Sequence, residues 1–312
     1  MKIGKVKLDN NIILAPMAGY TDVGFRTLCK KYGAGLTVTE MISTKGLFFN
    51  EAGAKPLLIT SEIEKPVSVQ IFGSEPEYMV KAIQHPWLQK FDIIDINMGC
   101  PVPKVYCNGE GSALMGNLPL AEKIISDCVK ATKKPVTVKF RKGISEDSVN
   151  CVEFAKMCEG SGVTTITVHG RTRDQFYSGK ADLSIIEKVV KAVKIPVIAN
   201  GDLCTKEDYE NVIKQTGCAG VMVGRGSLGR PWIFAKMLGK EYTYDNFELI
   251  KEHIGTAEKL MGEDFKLIEL RKHFSWYLKG LRGVGEYREK LYSLTNADEI
   301  LTLLKQALSK KD

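Results

Sequence analysis

Short apolar runs rich in β-branched residues recur along the chain: "IILA" from 12, "LTVT" from 36, "VSVQI" from 67, "IIDI" from 93, "VTVKF" from 136, "TITV" from 165, "VIAN" from 197 and "VMVG" from 221. Between them lie stretches such as "LAEKIISDCVKATKK" (120–134) and "LSIIEKVVKAVK" (183–194), whose apolar residues return every three or four positions, the period of an amphipathic helix. Eight strand-like runs alternating with helix-like segments predict an α/β fold, a (β/α)8 TIM barrel, over residues 1–242. The remainder, 243–312, keeps only the helical period, in "FELIKEHIGTAEKLMGEDF" and "ADEILTLLKQALSKK", and predicts a small all-helical C-terminal domain.

A barrel of this kind carries its chemistry at the C-terminal ends of its strands. The residues that end the runs are Pro16-Met17-Ala18, Glu40, Gln70, Asn97 with Cys100, Lys139 with Arg141, His169, Asn200-Gly201-Asp202 and Gly224-Arg225. Any one alone reads most simply as a loop residue or a strand cap, and a lone cysteine as a small buried hydrophobe. Polar groups at every strand end read instead as one site, and Cys100, between Gly99 and Pro101, falls at a catalytic address.

Such barrels often bind phosphate between the loops after strands seven and eight. Here those loops are "NGDLC" (200–204) and "GRGSLGRPWIF" (224–234), whose glycines let backbone N–H groups approach an anion and whose Arg225 adds a fixed cationic fork. "GRGSLG" also fits the dinucleotide pattern G-x-G-x-x-G. The segment after Trp232 turns helix-like and charged instead of supplying a strand that ends in an acidic residue, so the loop reads as a monophosphate site.

Composition narrows the class. With 44% hydrophobic and 26% charged residues in 312, the chain reads as an ordinary globular protein. No apolar stretch approaches a membrane span, and the N-terminal apolar run is broken early by Pro16, so a cytoplasmic location is expected. Eight scattered cysteines form no C-x-x-C pair, which argues against a zinc ribbon or iron–sulfur ligand set; no metal is expected. The net charge of +7 permits a polyanionic partner. In the tail, positive charge gathers in 271–290, where Arg271, Lys272 and Lys279 mix with Phe274, Trp276 and Tyr277. That mixture suits RNA, and it equally suits a helical domain whose aromatics form the core and whose charges form a solvated face.

These residues resemble the tRNA-dihydrouridine synthases, and within them the bacterial DusB-like branch. The likeness spans nearly the whole chain, through "APMAGYTD" (15–22), "VQIFG" (69–73), "INMGCPVPKV" (96–105), "GSALM" (111–115), "VKFRKG" (138–143), "TVHGRTR" (167–173), "IANGD" (198–202) and "GRGSLGRPWIF". It implies FMN as cofactor, NADPH or NADH as reductant and tRNA as substrate. Pro16, Met17 and Ala18 would line the flavin ring, Gln70 and Lys139 would contact it, Asn200, Gly201, Asp202, Gly224 and Arg225 would hold ribityl and phosphate, and Cys100 would donate a proton. His169 would meet the flavin or the uracil carbonyls. Asn97 and Arg141 would hold the uridine or serve as caps, while Arg271, Lys272 and Lys279 would grip tRNA; a monomer is expected.

The chemistry agrees. Reducing the C5–C6 bond of uracil takes a hydride at the electrophilic C6 and a proton at C5. A thiol of ordinary pKa, about 8.5, is mostly protonated at neutral pH and can serve as the acid. Pro101 favours extended backbone at Cys100, which helps to fix the thiol. Two rivals stand beside this reading. One is an FMN-barrel reductase or dehydrogenase of a free small molecule, of the dihydroorotate dehydrogenase kind, and the other an RNA-binding protein on a degenerate barrel. For Lys139, a Schiff-base role competes with a flavin contact.

Overall fold

The computed structural model describes residues 1–309. All eight runs become strands: β1 Ile12–Leu14, β2 Thr37–Ser43, β3 Val67–Phe72, β4 Ile93–Met98, β5 Val136–Arg141, β6 Thr165–His169, β7 Val197–Asn200 and β8 Gly220–Val223. Neighbours in sequence pair in parallel from β2 to β8, and β8 returns to pair with β1. The ring closes between β1 and β2 through a bridge of Ile13 to Leu36, with the Leu14 N–H donating to the Leu36 carbonyl.

Strand alternation sorts side chains into two sets. Val136, Val138 and Phe140 belong to the large core shared with the surrounding helices, as do Ile94, Ile96 and Met98. The intervening positions belong to the barrel interior. At its lower end Ile13, Val38, Ile93, Ile198 and Met222 fill that interior, with Ile3 and Leu8 of the N-terminal hairpin segment packed among them. Higher up, the same alternation presents Gln70, Asp95, Asn97, Thr137, Lys139, Arg141 and His169. A filled floor beneath a polar upper layer leaves the strands' C-terminal ends as the place for a cavity.

The helical tail docks on the first barrel helix, α1 Val23–Lys31. Helix α2, Asn246–Met261, crosses it so closely that a Cβ on Gly24 would lie 2.8 Å from the Ala257 Cβ. Asp22 caps α1 by accepting the Phe25 N–H at 3.0 Å. The same carboxylate faces His253 of α2 at 3.4 Å and His273 of α3, Arg271–Tyr277, at 3.2 Å. Among the described residues this is the one cluster of metal-type side chains with ligand spacing, and it sits at the tail junction, outside the cavity lining. The tail continues through α4 Gly285–Ser293 and α5 Ala297–Ser309, and Leu249, Ile250, Phe274 and Tyr277 join the same continuous core as the barrel's outer face.

Candidate active site

A cavity of about 970 Å³ opens at the C-terminal ends of the strands. That volume lies at the upper end of the range for cofactor pockets, about 300–1,000 Å³. Its lining includes every barrel residue anticipated from the strand ends except Glu40: Pro16 to Ala18, Gln70, Asn97, Cys100, Lys139, Arg141, His169, Asn200 to Asp202, Gly224 and Arg225. The exception has a local cause. A register shift in β2 between Val38 and Met41 re-aims Glu40 outward, where its carboxylate accepts the Gly19 N–H and holds the loop after β1.

Cys100 sits in the turn after β4, 9% exposed. The Asn97 Oδ1 accepts the N–H of Cys100 at 2.9 Å and that of Gly99 at 3.1 Å, while the Cys100 carbonyl accepts from the N–H and the hydroxyl of Ser112. Asn97 therefore acts as a cap for the cysteine turn while it also lines the cavity. Burial pushes the Cys100 thiol up; the Val102 amide, Arg141 and Lys139 oppose the shift without reversing it. The thiol remains protonated, which suits an acid and not a nucleophile. Cys107, seven residues on, is exposed.

The neighbouring wall is cationic. Desolvation lowers Lys139 to about 8, with Arg141 adding to the shift, and among the described residues no hydrogen bond or ion pair claims its amine. Arg141 spends Nε on the Gly99 carbonyl (2.9 Å) and Nη1 on the carbonyls of Thr172 and Phe176 (2.8 and 2.9 Å), which leaves Nη2 for the cavity. His169 is held well below its usual pKa, first by burial and then by Lys139, Arg141, Arg171 and Arg225, so the imidazole is neutral.

At the far end the two glycine loops pack against each other. A Cβ on Gly226 would lie 2.0 Å from the Leu203 carbonyl, and one on Gly201, at φ +126°, would strike Ala181. Only glycine permits this approach. The short turn Arg225–Ser227 begins here, and its first N–H groups have no partner within the turn. Asp202, at φ +50°, turns its carboxylate to Arg171 at 2.7 Å and lies 3.9 Å from Arg225. It thus braces cations, while Arg225 lies over the Tyr177 ring at 4.3 Å.

The model of the dihydrouridine synthase (Dus) family matches residues 13–311. The chain belongs to the dihydrouridine synthase family. It is 40% identical over 298 residues to the probable tRNA-dihydrouridine synthase of Rickettsia conorii, covering 92% of this chain and 90% of that protein. With tRNA-dihydrouridine synthase B of Pseudomonas aeruginosa it shares 37% identity over 320 residues, covering 100% and 96%. Solved structures share its barrel at low identity. Morphinone reductase in complex with tetrahydroNAD gives a TM-score of 0.56 at 13% identity, covering 78% of this chain and 90% of that one. Histamine dehydrogenase from Rhizobium sp. 4-9 gives 0.61 at 13%, covering 98% and 52%.

On this dihydrouridine synthase family member the tail contributes unequally to the site. Lys279 reaches the cavity rim, its Nζ 4.5 Å from the Trp276 ring centroid, and both residues line the cavity. Arg271 instead donates to the Leu294 carbonyl, and Lys272 turns under the barrel rim, its amine 5.5 Å from the Tyr20 ring and against Gly19. Phe274 and Tyr277 are core. The lining residues that sequence reading did not assign include Arg171, Tyr177, Trp232 and Tyr244. Arg171 stood inside the "TVHGRTR" motif, directly after the strand-ending His169-Gly170 pair, and that position was the available signal.

Proposed function

We propose that this protein is an FMN-dependent, NADPH- or NADH-driven tRNA-dihydrouridine synthase acting in the cytoplasm. It reduces the C5–C6 double bond of a uridine in tRNA, and Cys100 supplies the proton to C5. The observation that carries the reading is a buried, neutral thiol pinned by its backbone in the lining of a cationic cavity, in a chain of this family.

The residues present fit FMN. Glycine-built loops with free N–H groups and Arg225 suit its phosphate, Asn200 to Asp202 the ribityl chain, and Pro16 to Ala18, Gln70, Lys139 and His169 the ring. When bound, the flavin supplies the hydride for C6. The chain does the rest. Lys139 offers a cation wherever anionic character develops. Neutral His169 and the unspent Nη2 of Arg141 offer hydrogen bonds to the uracil carbonyls, and Cys100 holds a proton that burial keeps on sulfur. Asp202 keeps Arg171 and Arg225 in place. A uridine in folded tRNA reaches this depth only by leaving its stack, at a cost of a few kcal/mol. Lys279, Trp276 and Tyr177 stand at the rim where the flanking nucleotides would pass.

Mass analysis of nucleosides from tRNA of a strain lacking the protein tests the reading. Loss of dihydrouridine, restored by the intact gene, is the expected result. Unchanged dihydrouridine would leave the small-molecule reductase as the better account.

A further inference from the structure

Below Cys100 four inward side chains on three adjacent strands form one continuous line of hydrogen bonds. The strand register sets Gln70 of β3 opposite Asp95 of β4, and Asp95 opposite Thr137 of β5. Thr137 Oγ1 donates to Asp95 Oδ1 at 2.5 Å, and Gln70 Nε2 donates to Asp95 Oδ2 at 2.7 Å. Asn97 Nδ2 donates to Gln70 Oε1 at 2.9 Å, and Asn97 Oδ1 accepts the Cys100 N–H at 2.9 Å. Gln70, Asp95, Asn97 and Thr137 are all buried.

We propose that Asp95 is a positioning residue for Cys100, acting through the side-chain amides of Gln70 and Asn97. The inference rests on the reading of Cys100 as the proton donor. Its logic is polarity. A carboxamide can present oxygen or nitrogen to a neighbour, so neither Gln70 nor Asn97 fixes its own orientation. An ionised carboxylate only accepts, so Asp95 obliges Gln70 to turn its nitrogen downward and its oxygen toward Asn97. Asn97 must then meet that oxygen with its nitrogen, which leaves its oxygen facing the N–H groups of Gly99 and Cys100. One acid at the base of the line thereby decides whether the turn bearing the thiol is anchored or repelled. Burial raises the Asp95 pKa, and the two donated hydrogen bonds together with nearby Lys139 oppose that rise without reversing it.

The test is alkylation of the full-length, flavin-loaded protein by iodoacetamide, with the rate at each cysteine followed by peptide mass analysis. Asp95→Leu removes the acceptor at similar volume. Asp95→Asn keeps one, because its oxygen can still accept from Gln70 while the Thr137 hydroxyl turns to accept from its nitrogen. Losing the anchor of the turn should expose Cys100 and raise its alkylation about 2- to 10-fold in Asp95→Leu, the span of one net hydrogen bond. Exposed Cys107 serves as internal standard and should not change, and Asp95→Asn should stay near the parent.

Re-oxidation of the reduced enzyme by tRNA should slow in Asp95→Leu and recover in Asp95→Asn. Should Asp95→Leu fail to fold, Gln70→Met breaks the same line one link along and must give the same rise at Cys100. Unchanged Cys100 labelling in the folded variant, or equal labelling rates in the Leu and Asn variants, would overturn the proposal. Labelling reads the turn directly and so stands apart from the enzymatic reading. A tRNA that carries normal dihydrouridine without this protein would sink the latter and leave the former measurable.

Discussion

Nη2 of Arg171 donates to both carboxylate oxygens of Asp202, at 2.7 and 2.9 Å. The same guanidinium donates to the carbonyls of Ser178 and Gly179, so one buried cation joins the loop after β6 to the loop after β7. Arg171→Met should therefore loosen both loops, costing about 2–3 kcal/mol in stability. It should also weaken FMN retention although Arg225 is intact. Chemical denaturation and flavin absorbance check both effects; a variant of parental stability with full flavin would show that the bridge holds neither loop.

Arg225→Ala removes the cation proposed to hold the FMN phosphate. Charge-assisted hydrogen bonds of this kind contribute about 1.5–3 kcal/mol, so FMN affinity should fall roughly 10- to 100-fold. Tyr177→Phe keeps the ring that Arg225 lies over and should bind FMN as the parent does. Equilibrium titration of the apoprotein with FMN decides, and an Arg225→Ala variant with parental affinity would move the phosphate elsewhere.

The two tail lysines should behave differently. Lys279 is exposed at the rim, and replacing it by alanine should weaken tRNA binding and reduce the slope of log affinity against log salt by about 0.7–0.9. Lys272 lies against Gly19 and Tyr20, so Lys272→Met should leave the salt slope alone and lower the melting temperature. Filter binding across a salt series separates the cases, and a reversal of the two slopes would return Lys272 to the phosphate surface.

How far the sequence was readable follows from how local each signal is. The strands were legible because alternation is printed within five or six residues: in "VTVKFR" the apolar positions go to the outer core and Thr137, Lys139 and Arg141 go inward. The cysteine turn was legible as Asn-Met-Gly-Cys-Pro for the same reason. Arg271 and Lys272 resisted, because a basic pair in a helix looks the same whether it faces solvent or a neighbouring loop. The cluster of Asp22, His253 and His273 resisted more strongly, since its members are scattered across the chain and meet only when the tail docks. Nor could spacing reveal the line from Thr137 to Asn97, which depends on strand register.

Acid should destabilise the protein above the range where carboxylates titrate. Burial lowers the pKa values of His169 and His273, so both are neutral in the folded chain. Above pH about 6.5 the unfolded imidazoles are neutral too and these groups add no pH dependence. As pH falls below that value the unfolded chain binds protons that the folded chain refuses, and stability drops by up to about 1.4 kcal/mol per pH unit for each group. Urea denaturation from pH 7.5 to 5 should show this fall, and His273→Gln should remove one group's share of the slope. A variant slope equal to the parent's would mean that His273 takes up its proton without unfolding.

The central claim is that Cys100 gives its proton to C5 of the uridine. Stopped-flow absorbance of the bound flavin measures it most directly, because reduction by NADPH and re-oxidation by tRNA are followed separately in one sample. Cys100→Ala should retain FMN and be reduced at the parental rate, since neither step delivers a proton to uracil. Its re-oxidation by tRNA should slow about 10²- to 10⁴-fold, the usual contribution of a general acid, while Cys107→Ala reacts as the parent does. Re-oxidation of Cys100→Ala at the parental rate, or a larger defect in Cys107→Ala, would contradict the assignment.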